Sequence, residues 1–200
     1  MAKLVIAALL LVVLLTGCVG APSLQFYVLE PLSQPSATNI ETAKKYTIGI
    51  GPISVPTLLE RKQIVTRASD NTVQIAEFQQ WASLLQDNLL QTLTRNLSTL
   101  QPNNIVRVYP WSIHGTVDLQ VIVDIIRFDA TPGESANLDA NWTIKNETTH
   151  TVLNSGHTVI NRSITDSSYP GTVHALSKIL GEFSQELSLA LLKVESSHYK

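Results

Sequence analysis

The chain has 200 residues, of which 44% are apolar and 15% are charged, and its formal net charge at pH 7 is −2. This balance is typical of a folded domain and excludes an intrinsically disordered chain. The near-neutral charge offers no basic surface for nucleic acid, so we expect no nucleic-acid partner.

The first 18 residues, MAKLVIAALLLVVLLTGC, have the pattern of a secretory signal peptide. Lys3 gives the positive start, and an unbroken apolar run extends from Leu4 to Leu15. As a helix this run would be about 18 Å long at about 1.5 Å per residue, too short for the roughly 30 Å hydrocarbon core of a bilayer. Residues 1–17 are therefore predicted to be a signal peptide rather than a membrane span.

Residues 15–18, LTGC, resemble a bacterial lipobox. The resemblance implies cleavage before Cys18 and three acyl chains on that residue, which would make the anchor effectively permanent. The alternative is a simple secretory signal with an incidental cysteine, but a free exposed cysteine in an oxidising compartment is a liability. Val19 follows the cysteine, whereas an aspartate at this position retains such lipoproteins in the inner membrane, so the resemblance implies the outer membrane. Cys18 is the only cysteine, so none remains for disulfides, metal sites or catalysis.

The first elements after Cys18 are predicted to be strands. A short tether over residues 18–24 is followed by an aromatic and β-branched strand at 25–29, a polar loop at 33–45 and a second strand at 46–55. The Gly-Ile-Gly at 49–51 lacks the third glycine of a nucleotide-binding fingerprint and is followed by Pro52, so it belongs to the strand.

A turn, a hairpin and a helix follow. Residues 57–63, TLLERKQ, predict a turn with about one helical turn, and the runs 64–67 and 72–76 flank a polar connection as a hairpin does. Apolar residues then recur every three or four positions, which predicts an amphipathic helix that begins near Phe78. Its buried stripe would hold Phe78, Trp81, Leu85, Leu89, Leu93 and Leu97.

These segments resemble the ABC-type transport auxiliary lipoproteins. The shared features are a Gly-Pro strand at 51–52, a Leu-Glu-Arg turn at 59–61, an Ile-Val-Thr-Arg strand at 64–67, a Trp-Ala pair at 81–82 and an Asn-Leu helix end at 96–97. The resemblance covers Cys18 to about Leu192, and its specific features lie between residues 51 and 97.

The second half predicts an antiparallel meander. Strands are expected at 105–109, 117–128 and 138–144, with another strand or a hairpin at 151–164. A second amphipathic helix should run from Pro170 to about Lys193, followed by a flexible tail at 195–200. The fold class is therefore α+β, with one domain over residues 25–194 in which two long helices pack on a mixed, mostly antiparallel sheet.

No pattern of catalytic or metal-binding residues is found in the sequence. The five histidines show no metal-ligand spacing, and neither a nucleophile elbow nor a phosphate-binding loop occurs. Asp118, Asp124 and Asp129 are the candidate carboxylates, but the first two would lie roughly 20 Å apart on one strand at about 3.3 Å per residue. We therefore expect a non-enzymatic protein without metal or cofactor.

What the family resemblance implies is a lipoprotein on the periplasmic face of the outer membrane that belongs to an envelope-spanning lipid-transport system. Its partners would be an inner-membrane component and a periplasmic tunnel of the mammalian-cell-entry type, and a ring-shaped homo-oligomer would receive the tunnel tip. A stand-alone lipid carrier with an apolar pocket between sheet and helices, or a lipid-anchored hydrolase, are the alternative functions.

The turn at 58–61 is the candidate contact with a partner. Two adjacent leucines in a polar turn require cover, so Leu58, Leu59 and Arg61 are hypothesised to contribute to a contact surface. Packing of the two leucines on the protein's own core is an equally good interpretation.

Overall fold

The computed structural model describes residues 23–33, 45–68, 71–112 and 115–197. The predicted signal peptide, Cys18 and most of the predicted 33–45 loop lie outside these ranges. The elements are β1 (Gln25–Tyr27), β2 (Thr47–Ser54), a 3₁₀ helix (Thr57–Leu59), β3 (Gln63–Arg67), β4 (Val73–Trp81), α1 (Leu85–Leu100), β5 (Ile105–Val108), β6 (Leu119–Thr131), β7 (Ser135–Asn146), β8 (Val152–Ser163) and α2 (Tyr169–Ser197).

The larger sheet has five strands in the order β5-β2-β6-β7-β8. β2 is parallel to β5 and β6, whereas β6, β7 and β8 form the predicted antiparallel meander. The 151–164 segment is one strand rather than a hairpin. Alternate residues of β6 are buried, as the sequence pattern predicted: Leu119, Val121, Val123 and Ile125. The α+β prediction with a mixed sheet is confirmed.

A second, three-stranded sheet has the order β1-β4-β3. The predicted hairpin is present, since β3 and β4 are antiparallel. β1 lies parallel to the far end of β4, with Phe26 opposite Gln80. The sequence predicts a single sheet, because a pairing between strands some fifty residues apart leaves no local pattern.

The predicted start of the first helix is wrong. α1 begins at Leu85, and both Phe78 and Trp81 lie on β4. Trp81 is buried in the core, as expected, whereas Phe78 is exposed. Trp81 at the end of β4 and Leu85 at the start of α1 are both buried in the same core. The apparent helical spacing of apolar residues therefore continues across the boundary between the strand and the helix.

The two helices cover the five-stranded sheet and contact each other. α1 packs on β2 and β5, and α2 packs on β7 and β8. Their apolar stripes form one continuous core with the strands; its helical members include Leu85, Leu89, Leu93, Leu97, Leu176, Ile179, Leu180, Phe183, Leu187 and Leu191. Ser168 precedes α2 and its Oγ accepts a hydrogen bond from the Gly171 amide at 3.1 Å, so Pro170 lies in the first turn, where proline is tolerated.

The end of α2 extends beyond the predicted tail boundary, because residues 195–197 are helical. Glu195 is only 6% exposed. Its Oε1 accepts a hydrogen bond from Asn104 Nδ2 at 2.8 Å, while Oε2 is buried with no hydrogen-bond partner among the described residues. Burial raises the pKa of Glu195, although the hydrogen bond from Asn104 opposes this shift.

The raised pKa predicts a dependence of stability on pH. Glu195 stabilises the fold below its ordinary pKa of 4.5, and this stabilisation is lost as the pH rises through the higher pKa of the folded state. Glu195→Gln keeps the side chain neutral and should raise Tm at pH 8 by about 2 °C, with no change at pH 4. Thermal unfolding at both pH values measures this. The exposed Glu77→Gln serves as control, and a lower Tm for Glu195→Gln at pH 8 would contradict the prediction.

Candidate functional site: an apolar groove beside a buried carboxylate

A groove of about 60 Å³ lies where the three-stranded sheet meets β6. Apolar side chains from the 3₁₀ helix, β3, β4 and β6 form most of its wall, and charged groups of β3 and β6 form the rest. We call it the β3–β6 groove; its principal lining residues are Leu58, Val65, Arg67, Val73, Ile126 and Asp129.

Asp129 is the charged centre of this groove and is only 5% exposed. Arg67 Nε donates to its Oδ2 at 2.6 Å, and Arg127 Nε donates to both carboxylate oxygens at 2.9 Å. Asn137 Nδ2 donates a longer bond of 3.3 Å to Oδ1. Two guanidinium groups share one carboxylate, so this group of residues, the Asp129 cluster, carries one excess positive charge beside the groove.

The position of Asp129 depends on an irregularity in β6. The pairing register of β6 with β7 shifts between Ile125 and Arg127. Because of this shift, Ile125 and Phe128 are both buried in the core, while Ile126 is exposed. Regular alternation would have placed Arg127 on the core side and Phe128 on the other. The shift therefore directs Asp129 towards β3.

The two leucines in the turn before β3 have different environments. Leu59 is buried in the core, whereas Leu58 is 37% exposed and lies at the edge of the β3–β6 groove. Arg61 Nε donates to the Leu58 carbonyl at 2.8 Å, which fixes the turn. Leu58 forms a shared exposed apolar surface with Val73 and Ile126, so it is the leucine that is available to a partner.

The candidate carboxylates do not converge. Asp118 Oδ2 accepts a hydrogen bond from the Thr47 amide at 2.8 Å, and Asp124 Oδ1 accepts one from the Ser54 hydroxyl. Asp129 is held by its two arginines. Within the described ranges, no three His, Cys, Asp or Glu side chains lie close enough to hold a metal ion. Each aspartate thus has a separate role in joining neighbouring segments.

A second feature is the segment that follows β1, up to the end of the first described range at residue 33. Residues 29–32, which we call the strap, contact both helices through hydrogen bonds between main-chain and side-chain groups. The bonds are Leu29 N to Asn88 Oδ1 at 3.1 Å, Thr92 Oγ1 to Leu29 O at 3.3 Å, Glu30 N to Ser177 Oγ at 3.1 Å and Leu32 N to Asn96 Oδ1 at 2.7 Å.

Asn96 joins the strap to both helices. It is fully buried in α1, and its Nδ2 donates to Ser184 Oγ of α2 at 2.9 Å. Asn88, Thr92 and Asn96 follow each other at four-residue intervals beside the leucine stripe of α1. That polar row is visible in the sequence, but its contacts with residues 29–32 have no local pattern that predicts them.

Both the groove and the strap fall inside the part of the chain that matches a known family. The model of the ABC-type transport auxiliary lipoprotein component matches residues 27–188. The chain belongs to this family. Cys18 precedes the matched region, so the acylation of this auxiliary lipoprotein stays a prediction.

Two solved structures resemble this auxiliary lipoprotein over almost their whole length. A protein from Xanthomonas campestris is 15% identical with a TM-score of 0.73, and the alignment covers 88% of this chain and 98% of that protein. A second structure, described as an uncharacterized protein, is 18% identical with a TM-score of 0.71 and coverages of 85% and 99%. At these identities the likeness shows the fold alone. A comparison with curated protein sequences gives no match.

The two helices of this auxiliary lipoprotein pack their apolar faces into the core. No helix in the described part of the chain has the length and apolar character needed to cross a membrane. The leucine stripes of α1 and α2 are buried in one continuous core with the strands. The apolar surface that a stand-alone carrier would offer to lipid between sheet and helices is thus used for packing.

Proposed function

We propose that this auxiliary lipoprotein is the outer-membrane subunit of an envelope-spanning lipid-transport system of the mammalian-cell-entry type. Acyl chains on Cys18 anchor it to the periplasmic face of the outer membrane. There it docks the tip of the periplasmic tunnel, in a ring of identical subunits, and so supports membrane integrity. Family membership supports the transport role. The sequence motifs resemble those of paraquat-inducible protein C, which favours this particular system.

The observation that carries the docking role is the exposed apolar surface of Leu58, Val73 and Ile126 beside the Asp129 cluster. An apolar centre bordered by arginines is a common composition for a protein interface. The excess positive charge favours a partner surface that carries carboxylates near its own apolar residues.

Leu58→Asp should weaken binding of the acylated protein to the tunnel protein from the same genome at least about tenfold, because a charge would be desolvated at the centre of the contact. Leu189→Asp is the matched control, since Leu189 is an exposed leucine on α2. It should leave the affinity unchanged. Surface-bound binding kinetics measure both variants, and circular dichroism verifies that both are folded.

The outcomes separate the parts of the proposal. Equal affinities of wild type and Leu58→Asp would rule out docking at this surface. No binding by the wild type would rule out the tunnel as partner. Native mass spectrometry of the same detergent-solubilised protein should show a discrete higher oligomer with acyl adducts. An acylated monomer would contradict the ring.

A further inference from the structure

The strand next to the predicted anchor carries a row of exposed apolar side chains. Leu24, Phe26 and Val28 alternate along β1 and the residue on either side of it, and all three are exposed, Phe26 to 59%. Tyr27 and Leu29 face the protein, because Tyr27 Oη donates to Gln79 Oε1 at 2.6 Å and Leu29 is buried, whereas Gln25 is exposed. Three apolar side chains on one face of an edge strand form a surface that a binding partner would cover.

The sequence around this row is free of charge. Residues 18–29, CVGAPSLQFYVL, contain no acidic or basic side chain, and Glu30 is the first. A segment of this composition enters an apolar environment without the desolvation of an ionised group. An open groove of about 270 Å³ between Phe26, Val28 and the start of α2 extends the same surface towards Val173 and His174, and Glu30 lies in its wall.

The chain length limits where this surface can lie. Five peptide units join Cys18 to Ser23, the first described residue, and span at most about 18 Å when fully extended. With Cys18 acylated, Ser23 must therefore lie within about that distance of the bilayer surface, and β1 begins two residues later. An acylated Cys18 therefore places the apolar part of the lipid leaflet close to the exposed face of Leu24, Phe26 and Val28.

We propose that Leu24, Phe26 and Val28 insert into the interfacial layer of the leaflet that holds the acyl chains. The inference rests on the acylation of Cys18 in the proposed function. The acyl chains and these three side chains then both contact the membrane and hold the edge of β1 against it. The orientation of the domain is therefore set by protein side chains as well as by lipid.

The test uses Phe26→Cys in the full-length, acylated protein. Because acylation consumes the thiol of Cys18, the introduced cysteine is the only one that a nitroxide label can modify. Val152→Cys is the matched control, because Val152 is also an exposed apolar strand residue. It lies eleven residues, about 36 Å, from Ser163, the end of β8 that lies beside the start of α2. Electron paramagnetic resonance in liposomes then compares accessibility to oxygen and to a water-soluble nickel chelate.

The label at residue 26 should show a ratio of oxygen to nickel accessibility about fivefold higher than the label at 152, as expected for interfacial insertion. Equal ratios in an acylated protein that floats with the liposomes would overturn this inference alone. A label shielded from both reagents would overturn it in favour of a protein contact. Two labels per chain, or a mass without acyl chains, would overturn the anchor and this inference together.

Discussion

Asn96→Ala should lower the free energy of unfolding by about 3 kcal/mol, as expected when a buried amide with two partners is removed. Asn96 accepts a hydrogen bond from the Leu32 amide at 2.7 Å and donates one to Ser184 Oγ at 2.9 Å. Alanine would leave the partly buried Leu32 amide without its acceptor, and it would leave a void where the fully buried Asn96 side chain lies beside the strap. Urea denaturation followed by circular dichroism measures the change.

Ser98→Ala is the control for this prediction. Ser98 lies two residues further along α1, is exposed, and donates only to the Thr94 carbonyl of its own helix. Its replacement should change stability by no more than about 0.5 kcal/mol. If Asn96→Ala were as stable as Ser98→Ala, the two hydrogen bonds of Asn96 would contribute nothing to the stability of the fold.

Asp129→Ala should destabilise the protein by about 2 kcal/mol. Removing one partner of a buried ion pair typically costs about 3–5 kcal/mol, but the side chains of Arg67 and Arg127 are more than a third exposed and can regain part of their hydration. The variant would also loosen the three-stranded sheet from β6, because the bond between Arg67 and Asp129 joins the two. Urea denaturation gives the loss of stability.

A surface pair on the same molecule provides the comparison. Arg162 and Glu182 form an ion pair of 2.7 Å with both side chains at least a third exposed. Glu182→Ala should cost about 0.5 kcal/mol or less, the usual value for an exposed pair. Equal losses for Asp129→Ala and Glu182→Ala would show that the Asp129 cluster is no more than a surface contact.

The parts of the fold that follow from local sequence patterns are the ones that could be predicted. The period-two run through Leu119, Val121 and Val123 identifies β6 because each of these side chains meets the same core. The leucines of α1 identify a helix for the corresponding reason at a period of 3.6. Both patterns depend only on neighbouring residues.

The features at the candidate site depend on residues that are distant in sequence. Arg67 and Asp129 are 62 positions apart, and β1 pairs with β4 across more than fifty. The register shift after Ile125 appears in the sequence of β6 only as a change in apolar spacing, from two residues to the three between Ile125 and Phe128, and the pairing with β7 shows what this change means. The error at Phe78 has a different origin, because a strand and a helix that enter the same core can continue one apparent period.

The strap has a mechanical consequence for a protein held by its N-terminus. A force that arrives from the side of Cys18 first reaches β1, which is paired with β4, and then residues 29–32. The strap forms hydrogen bonds with both α1 and α2, so the load is divided between the two helices. Tension on the anchor would therefore be carried by the core as a whole, and the body could be pulled against the membrane without unravelling from its first residue.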